Sequence, residues 1–360
     1  MPLLAQLPQP WKRITTLLVA LGGLSLCVGM GPSDNTNRPS SGSPNADPRN
    51  AESEVHLNPH EVIGFQNCEK CHASEVAVWK QTPHHETFLT MHRRPEAQQI
   101  ASKLGIASFK NDSACIKCHY TMQSGHQGMQ AISGISCESC HGAAKKWLDV
   151  HHNYGGDKVT RETESPEHRL GRLRSSLAAG MRNPINVYLV AQSCYRCHTV
   201  PDERLVNVGG HNPGSLDFEL VSWSQGTLRH NFVRSKGTSN APSSPERLRQ
   251  LFVAGMIADL EFSLRATAEA TEKANFGITA ASRAARSAKR LAAAQSKLQQ
   301  PLLDEILAVY KDVELKLNNQ QQLTAAADAI ATLGIRFAAT VPGSQLQAIE
   351  PFIPQQDRWK

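Results

Sequence analysis

The stretch GISCESCHGAAKKWLDVHH, residues 134–152, holds two cysteines three positions apart, a histidine directly after the second, and two more histidines ten and eleven residues later. The same Cys-x-x-Cys-His unit occurs four times in the 360-residue chain and uses eight of its nine cysteines. The units begin at Cys68, Cys115, Cys137 and Cys194. A shuffled chain of this composition would contain about 0.01 such units, so the four copies indicate one shared chemistry.

That chemistry is covalent haem attachment. Two thiols at this spacing add to the vinyl groups of a haem, and the adjacent histidine becomes the proximal ligand of its iron. Zinc is the main alternative, but two units sharing four thiolates would leave the adjacent histidines unexplained. A thioredoxin-like pair needs a βαβ context, which the sequence does not show. We therefore predict four c-type haems, attached through Cys68, Cys71, Cys115, Cys118, Cys137, Cys140, Cys194 and Cys197, with His72, His119, His141 and His198 as proximal ligands.

Each haem iron has a second axial position, which a further histidine can fill or a small molecule can bind. The distal candidates are His84, His151 and His230, with His85, His152 and His211 as alternates. The count favours three haems with two histidine ligands each and one haem of uncertain sixth ligand. Spare histidines can still supply a fourth, so the sequence does not require an open iron.

The N-terminal thirty residues have the pattern of an export signal. Two basic residues precede an uncharged, mostly apolar run from Ile14 to Met30, which suits a cleaved signal peptide or an N-terminal membrane anchor. Lipidation of Cys27 is a weaker alternative, because bulky Leu26 stands where a small residue normally precedes the modified cysteine. Residues 31–58 are polar and rich in Pro, Ser and Asn, which predicts a disordered linker. The rest of the chain is expected in the periplasm, free or anchored to the inner membrane.

The sequence changes character at Ser244, where Ser-Pro-Glu has the pattern of a capped helix start. Apolar residues then recur at helical spacing as far as Leu264. Further helical runs are expected at 278–299, 302–317 and 323–339. We predict a helical domain at 244–342, forming a hairpin or bundle, followed by a tail at 343–360.

Charge adds little to this interpretation. The formal net charge is +6, which is mild for 360 residues, and no nucleic-acid-binding motif accompanies it. Arg283, Arg286, Lys289 and Arg290 form a basic stripe on one predicted helix. The stripe is read as a solvated helix face, with a docking surface for an acidic redox partner or anionic lipid as the alternative.

The region from about Phe65 to Phe232 resembles the tetrahaem cytochrome c-554 family of ammonia-oxidising bacteria. The matching pieces are the four units, Trp-Lys-x-Thr-x-His at 79–84, and Cys-Glu-Ser-Cys-His-Gly followed by His151. The resemblance implies stacked haem pairs, distal ligands at His84 and His151, and a second haem, at His119, that is five-coordinate. It also implies a hydroxylamine-oxidoreductase-like multihaem enzyme as electron donor. The long C-terminal extension departs from the family pattern.

The predicted fold is mainly α. A compact multihaem cytochrome domain at 59–240, with short helices such as 74–80 and 86–104 and long loops, precedes the C-terminal helices. The predicted function is that of a periplasmic tetrahaem cytochrome that transfers electrons between redox proteins. Two alternatives are reduction of nitric oxide at an open second haem, and a role as the haem subunit of a larger redox complex.

Overall fold

The computed structural model describes residues 57–111 and 114–360. The expected signal or anchor at 1–30 and nearly all of the expected linker at 31–58 lie outside these residues. The described part of the chain is mainly α, as the sequence predicts. No single helix within it is both long and apolar enough to cross a membrane.

Short helices joined by long connections make up the chain as far as residue 235. In order they are α1 Phe65–Glu69, α2 Ala73–Trp79, α3 Pro83–Thr90, α4 Pro95–Leu104, α5 Ile116–His119, α6 Cys137–His141, α7 Leu148–His151, α8 Pro166–Ala178, α9 Val187–His198, α10 Glu203–Asn207 and α11 Leu220–Gln225. Thr82 and Ser165 cap α3 and α8, and a proline follows each cap. A capping side chain satisfies an N–H group that the helix leaves unpaired, and so fixes where the helix begins.

The helix expected at 86–104 is divided in two, which corrects the prediction. Helix α3 ends at Thr90, a 3-10 turn covers Met91–Arg93, and α4 begins at Pro95. Proline disfavours a helical conformation in the residue before it, and Arg94 is accordingly extended, with ψ at 128°.

A β-hairpin follows the second attachment unit, where only helices and loops were expected. Strands β1 (Thr121–Gly125) and β2 (Gly128–Ser133) pair antiparallel around a two-residue connection. Gly128 has φ at +90°, a conformation that side-chain-bearing residues rarely adopt. The hairpin carries Thr121, whose hydroxyl lies 3.0 Å from the hydroxyls of Ser136 and Ser139 and so ties β1 to the third unit.

Four long helices form the C-terminal part, close to the predicted positions. They are α12 Pro245–Ala268, α13 Asn275–Leu298, α14 Pro301–Lys311 and α15 Gln320–Thr340. Ser244 caps α12 by accepting the Arg247 N–H, as its pattern predicts. Helix α14 ends at Lys311, six residues before the end of the run expected at 302–317.

One apolar core crosses the boundary expected between residues 240 and 244. Tyr188 and Tyr195 of α9 are 0% and 2% exposed, and they pack in the same cluster as Leu260 of α12 and Leu291 of α13. Helix α9 carries the fourth attachment unit at its C-terminal end. The expected boundary therefore does not separate two cores, because α9 belongs to the helical core and to the attachment region at once.

Residues 343–360 are also part of this fold rather than a tail. Leu346 and Ile349, in the 3-10 segment Gly343–Phe352, are fully buried in the same core. Lys360 N–H donates to the Ser222 carbonyl of α11 at 3.0 Å. The end of the described chain is thereby held against α11.

Buried charges connect the helices of this core. Arg283 Nε donates to Asp259 Oδ1 at 2.6 Å, with side chains 2% and 5% exposed. Glu261, fully buried, accepts the Tyr188 hydroxyl at 2.6 Å and the Arg265 guanidinium at 3.0 Å. Arg283 is therefore not a solvated member of the basic stripe, because its charge is neutralised inside the protein.

Candidate haem-binding site

Each attachment unit lies on about one turn of helix. The first begins in the last turn of α1 and continues past its end, the second is α5 with Cys115 before it, the third is α6 and the fourth ends α9. His72 N–H donates to the Cys68 carbonyl at 2.9 Å, and His119 N–H to the Cys115 carbonyl at 3.0 Å. Side chains three and four positions apart share one face of a helix, so two thiols and one imidazole of each unit lie on the same side.

The units are paired in space in an order that differs from the chain order. The Cys68 thiol of the first unit lies beside the Cys137 thiol of the third, which lowers the pKa of Cys68 and raises that of Cys137. The Cys118 thiol of the second unit lies beside the Cys197 thiol of the fourth, which raises the pKa of Cys118 and lowers that of Cys197 to about 7. The first and third units therefore form one pair, and the second and fourth form another.

The third and fourth units join these pairs into a row. Arg196 Nη2 donates to the Ser139 carbonyl at 2.8 Å, and Ser193 Oγ donates to the Cys140 carbonyl at 3.0 Å. Arg182 supports the junction by donating to Ser193 Oγ at 2.7 Å. The spatial order is first, third, fourth, second, with the first and second units at the two ends.

Every unit histidine faces one histidine from outside the units. The ring centroids are 6.4 Å apart for His72 and His151, 6.3 Å for His198 and His84, 6.4 Å for His119 and His211, and 6.2 Å for His141 and His230. Rings in direct contact lie much closer: the His198 and Phe218 centroids are 4.0 Å apart. The four pairs keep nearly the same separation although the angle between their rings varies from 28° to 87°.

This separation fits an iron held between two imidazoles. A metal–histidine bond is about 2.0–2.1 Å long and the ring centroid lies about 1.1 Å behind the bonded nitrogen, so two imidazoles on one metal have centroids about 6.3 Å apart. The four observed separations, 6.2–6.4 Å, agree with that value. Together with two cysteines beside each pair, the donor set is that of a c-type haem with two histidine ligands.

Hydrogen bonds orient three of the outer histidines. The Nδ1 atoms lie 2.7 Å from the Asn212 carbonyl for His211 and 2.6 Å from the Leu228 carbonyl for His230. His151 Nδ1 makes the same kind of bond to the Leu148 carbonyl. A carbonyl accepts a proton from Nδ1, so it selects the tautomer whose Nε2 carries a lone pair for iron.

Burial favours the neutral form of five of the site histidines. It lowers the pKa of His119 and His141 to about 4 and that of His198 to about 3. Burial also lowers the pKa of His84 and His151. Since only a neutral imidazole offers a lone pair to a metal, these side chains are in the ligating form at neutral pH.

The structure brings the three distal candidates into the site, each opposite a different unit. His84 faces the fourth unit, His151 the first, and His230 the third. The alternates His85 and His152 face no unit histidine: the His85 ring lies edge-on to Trp79 at 4.7 Å, and the His152 ring edge-on to His151 at 5.1 Å.

The second unit differs from the expectation. The family resemblance implies an open position at His119, and the sequence offers His211 only as a competitor of His230. Instead His211 lies opposite His119, while His230 lies opposite His141. The two outer histidines face different units, and they lie on different loops: His211 follows α10 and His230 follows α11.

Two supporting carboxylates were missed by sequence reasoning. Glu138, between the cysteines of the third unit, accepts the N–H groups of Ile63, Gly64 and Ala144 at 2.8–3.0 Å. These bonds fasten the chain before the first unit onto the third unit. Burial raises the pKa of Glu138, although the three donors oppose that shift. The signal available in the sequence was an acid inside a haem-attachment unit.

The second missed carboxylate, Glu164, positions His151 through an arginine. Arg172 donates to Glu164 Oε1 at 2.7 Å and Oε2 at 2.6 Å, and to the His151 carbonyl at 2.6 Å. The Arg172 guanidinium lowers the pKa of Glu164 to about 2. No local pattern in the sequence links these three residues, which lie on or beside two different helices.

Comparison with known proteins agrees with this site. Residues 67–142, which contain the first three units, match the family model described as cytochrome c554 and c-prime. The resemblance to the cytochrome c-554 family is confirmed. The family is one of c-type cytochromes, so this part of the chain has the signature of covalently bound haem. The fourth unit, His211, His230 and the C-terminal helices lie outside the matched residues.

A curated relative gives the same result. Cytochrome c-554 of Nitrosomonas europaea is 28% identical to this chain over 103 residues, which cover 26% of this chain and 43% of that protein. The chain therefore spans less than half the length of this relative. No solved structure matches the chain.

Proposed function

We propose that the protein is an electron carrier that binds four c-type haems. The observation that carries this proposal is the set of four opposed histidine pairs, each beside one cysteine pair. Iron held by two histidines exchanges single electrons with little rearrangement, and this is the chemistry that the bound haems supply. The residues of the chain attach the haems, orient the axial ligands and exclude water.

The contacts between units support a role in transfer over a distance. The first unit touches the third, the third touches the fourth, and the fourth touches the second. Around the fourth unit, Phe218 stacks on the His198 ring, and the Trp223 ring centroid lies 5.9 Å from the His198 ring centroid. Such aromatic packing keeps water away from the ligand and lowers the local dielectric, which is one of the factors that set a haem potential.

The first unit is the exposed end of the row. Cys71 is exposed, and the His72 side chain is 38% exposed. The fourth unit is enclosed, with the His198 ring covered by Phe218. We propose that redox proteins dock near the first unit, because an electron has the shortest path there between a haem and a partner at the protein surface. By the family resemblance, a hydroxylamine-oxidoreductase-like enzyme is the proposed donor.

The periplasm is the proposed location. The basic residues and the apolar run that ends at Met30 support export, and proteins of the matched family are typically periplasmic. The proposal holds for a cleaved signal and for an anchor alike. Fractionation of cells after expression of the full chain tests it, and haem-loaded protein in the cytoplasmic fraction would contradict it.

The haem count tests the main proposal. We expect four haems per chain by the pyridine haemochrome absorbance, and intact mass should show all four bound covalently. Replacing Cys68 and Cys71 together by alanine should remove one haem, whereas Cys27→Ala should remove none, since Cys27 lies in the export segment. A wild-type count below four, or zinc in place of iron, would contradict the proposal.

A further inference from the structure

We propose that His211 is the sixth ligand of the haem iron at the second unit, and that the C-terminal helices hold it there. The second iron is then closed to small molecules, which sets this chain apart from the five-coordinate second haem that the family resemblance implies. The inference rests on the proposed function, because it needs a haem at Cys115 and Cys118. It removes the basis for nitric oxide reduction at that iron.

The distance between His211 and its unit histidine matches the distances for the other outer histidines. Its ring centroid lies 6.4 Å from that of His119, the same separation as between His72 and His151. Its Nδ1 lies 2.7 Å from the Asn212 carbonyl, which leaves Nε2 for iron. The ring separation is the deciding feature, because the exposed His152 also has its Nδ1 2.7 Å from a carbonyl, that of Leu148, yet faces no unit histidine.

The loop that presents His211 is built for this position. It follows α10, and His211 N–H donates to the Leu205 carbonyl at 3.2 Å. Gly210 has φ at +80°, where a side chain would be strained. A Cβ on Gly209 would lie 2.5 Å from the Leu205 carbonyl oxygen and 3.0 Å from Leu104 Cδ1 of α4. The two glycines therefore let the loop pass closely between α10 and α4.

Helix α10 is itself fastened to the C-terminal helices. Glu203, at its start, accepts the Thr271 hydroxyl at 2.6 Å and the Thr271 N–H at 3.1 Å. Asn207, at its end, donates to Glu272 Oε1 at 2.8 Å and accepts the Phe276 N–H at 2.9 Å. Thr271 and Glu272 lie in the connection between α12 and α13, and Phe276 is in the first turn of α13.

The far side of the loop is held by the same helices. Arg283 of α13 donates to the Ser215 carbonyl at 2.8 Å. A Cβ on Gly214 would lie 2.7 Å from the His198 carbonyl oxygen and 3.2 Å from Arg283 Nη1. The loop therefore lies between the fourth unit and α13, and it is supported at both of its ends by residues outside the family match.

Electron paramagnetic resonance of the oxidised protein, with carbon monoxide binding to the reduced protein, tests the ligand. We expect wild-type protein to show low-spin signals for all four irons and to bind no carbon monoxide. His211→Ala should give one high-spin iron and bind one carbon monoxide per chain. Added imidazole should return this variant to the low-spin form by filling the vacated axial position. His126→Ala, at the exposed hairpin connection, is the matched control and should resemble wild type.

The outcomes separate the two proposals. Four haems with one high-spin iron in the wild type, unchanged in His211→Ala, would overturn the assignment of His211 and leave the electron carrier standing. Fewer than four haems in the wild type would overturn the proposed function itself. Asn207→Ala and Glu203→Ala test the support by the helices: each should raise carbon monoxide binding above the wild-type level. No binding in either variant, with four haems present, would overturn that support.

Discussion

Replacing Arg283 by alanine probes the joint between the helical core and the fourth attachment unit. The guanidinium pairs with Asp259 at 2.6 Å inside the core, and it also donates to the carbonyls of Ser215 at 2.8 Å and His198 at 3.3 Å. Asp259 keeps the Ser287 hydroxyl at 2.6 Å as a donor but loses its counter-charge. The substitution therefore leaves a buried carboxylate without a cation.

The magnitude follows from that burial. Removing one partner of a buried ion pair costs about 3–5 kcal/mol, because the remaining charge stays desolvated. We expect the free energy of unfolding to fall by this amount in Arg283→Ala. The double variant Asp259→Leu, Arg283→Leu should lose less than Arg283→Ala alone, since it removes both charges and refills part of the volume.

Urea unfolding followed by far-ultraviolet circular dichroism measures this loss, and the Soret band reports the haem region in the same samples. Arg286→Ala, one helical turn away on the same helix, is the control. Its guanidinium has one long contact, 3.4 Å to the Leu216 carbonyl, so its effect should stay within about 0.5 kcal/mol. A loss below about 1 kcal/mol in Arg283→Ala would refute the reasoning that the pair is a structural joint.

Three further changes test other contacts. Gly334→Ala would place a Cβ 2.3 Å from the Tyr188 ring. We therefore expect the free energy of unfolding, measured by calorimetry, to fall by about 1–3 kcal/mol. A variant as stable as the wild type, or more stable, would contradict this packing. The pKa of Glu164 is lowered from 4.5 to about 2, so its ion pair stabilises the fold above about pH 4.5 and this contribution is lost as the pH falls toward 2. Glu164→Gln should remove this part of the acid unfolding curve. An unchanged curve would count against a stabilising role for Glu164. His84→Ala should produce one high-spin iron with four haems retained, whereas His85→Ala should produce none; the reverse result would exchange their roles.

Local spacing predicts attachment but not ligand pairing. Cysteines three apart and the next histidine lie on one helical turn, so the sequence alone indicates each unit. His84 follows the first unit by twelve residues, yet it faces His198, 114 positions later in the chain. Its partner depends on how α3 crosses the fourth unit, and no short pattern encodes that crossing. For the same reason His211 could be named as a candidate but not given to the second unit.

Helix ends were predictable where a cap marks them, and domain limits were not. Ser244 and Pro245 indicate the start of α12 because each has a direct local effect on the backbone. The boundary near 240 was inferred from a change in composition, but α9 packs its apolar side chains on helices that follow the boundary. The burial of Arg283 could not be predicted for a similar reason. Its position in a basic stripe does not indicate that it forms an ion pair with Asp259 of a different helix.

The packing of α9 has a consequence for the order of events during biosynthesis. A chain emerges from its N-terminus, so the residues of α9 appear before the core partners that follow them, from Leu251 to Ile353. Until those partners arrive, the face of α9 that joins the helical core, with the partly buried Cys194, stays uncovered. The haem attachment proposed for the fourth unit needs accessible thiols, and the late arrival of the C-terminal helices provides an interval for it before the fold closes.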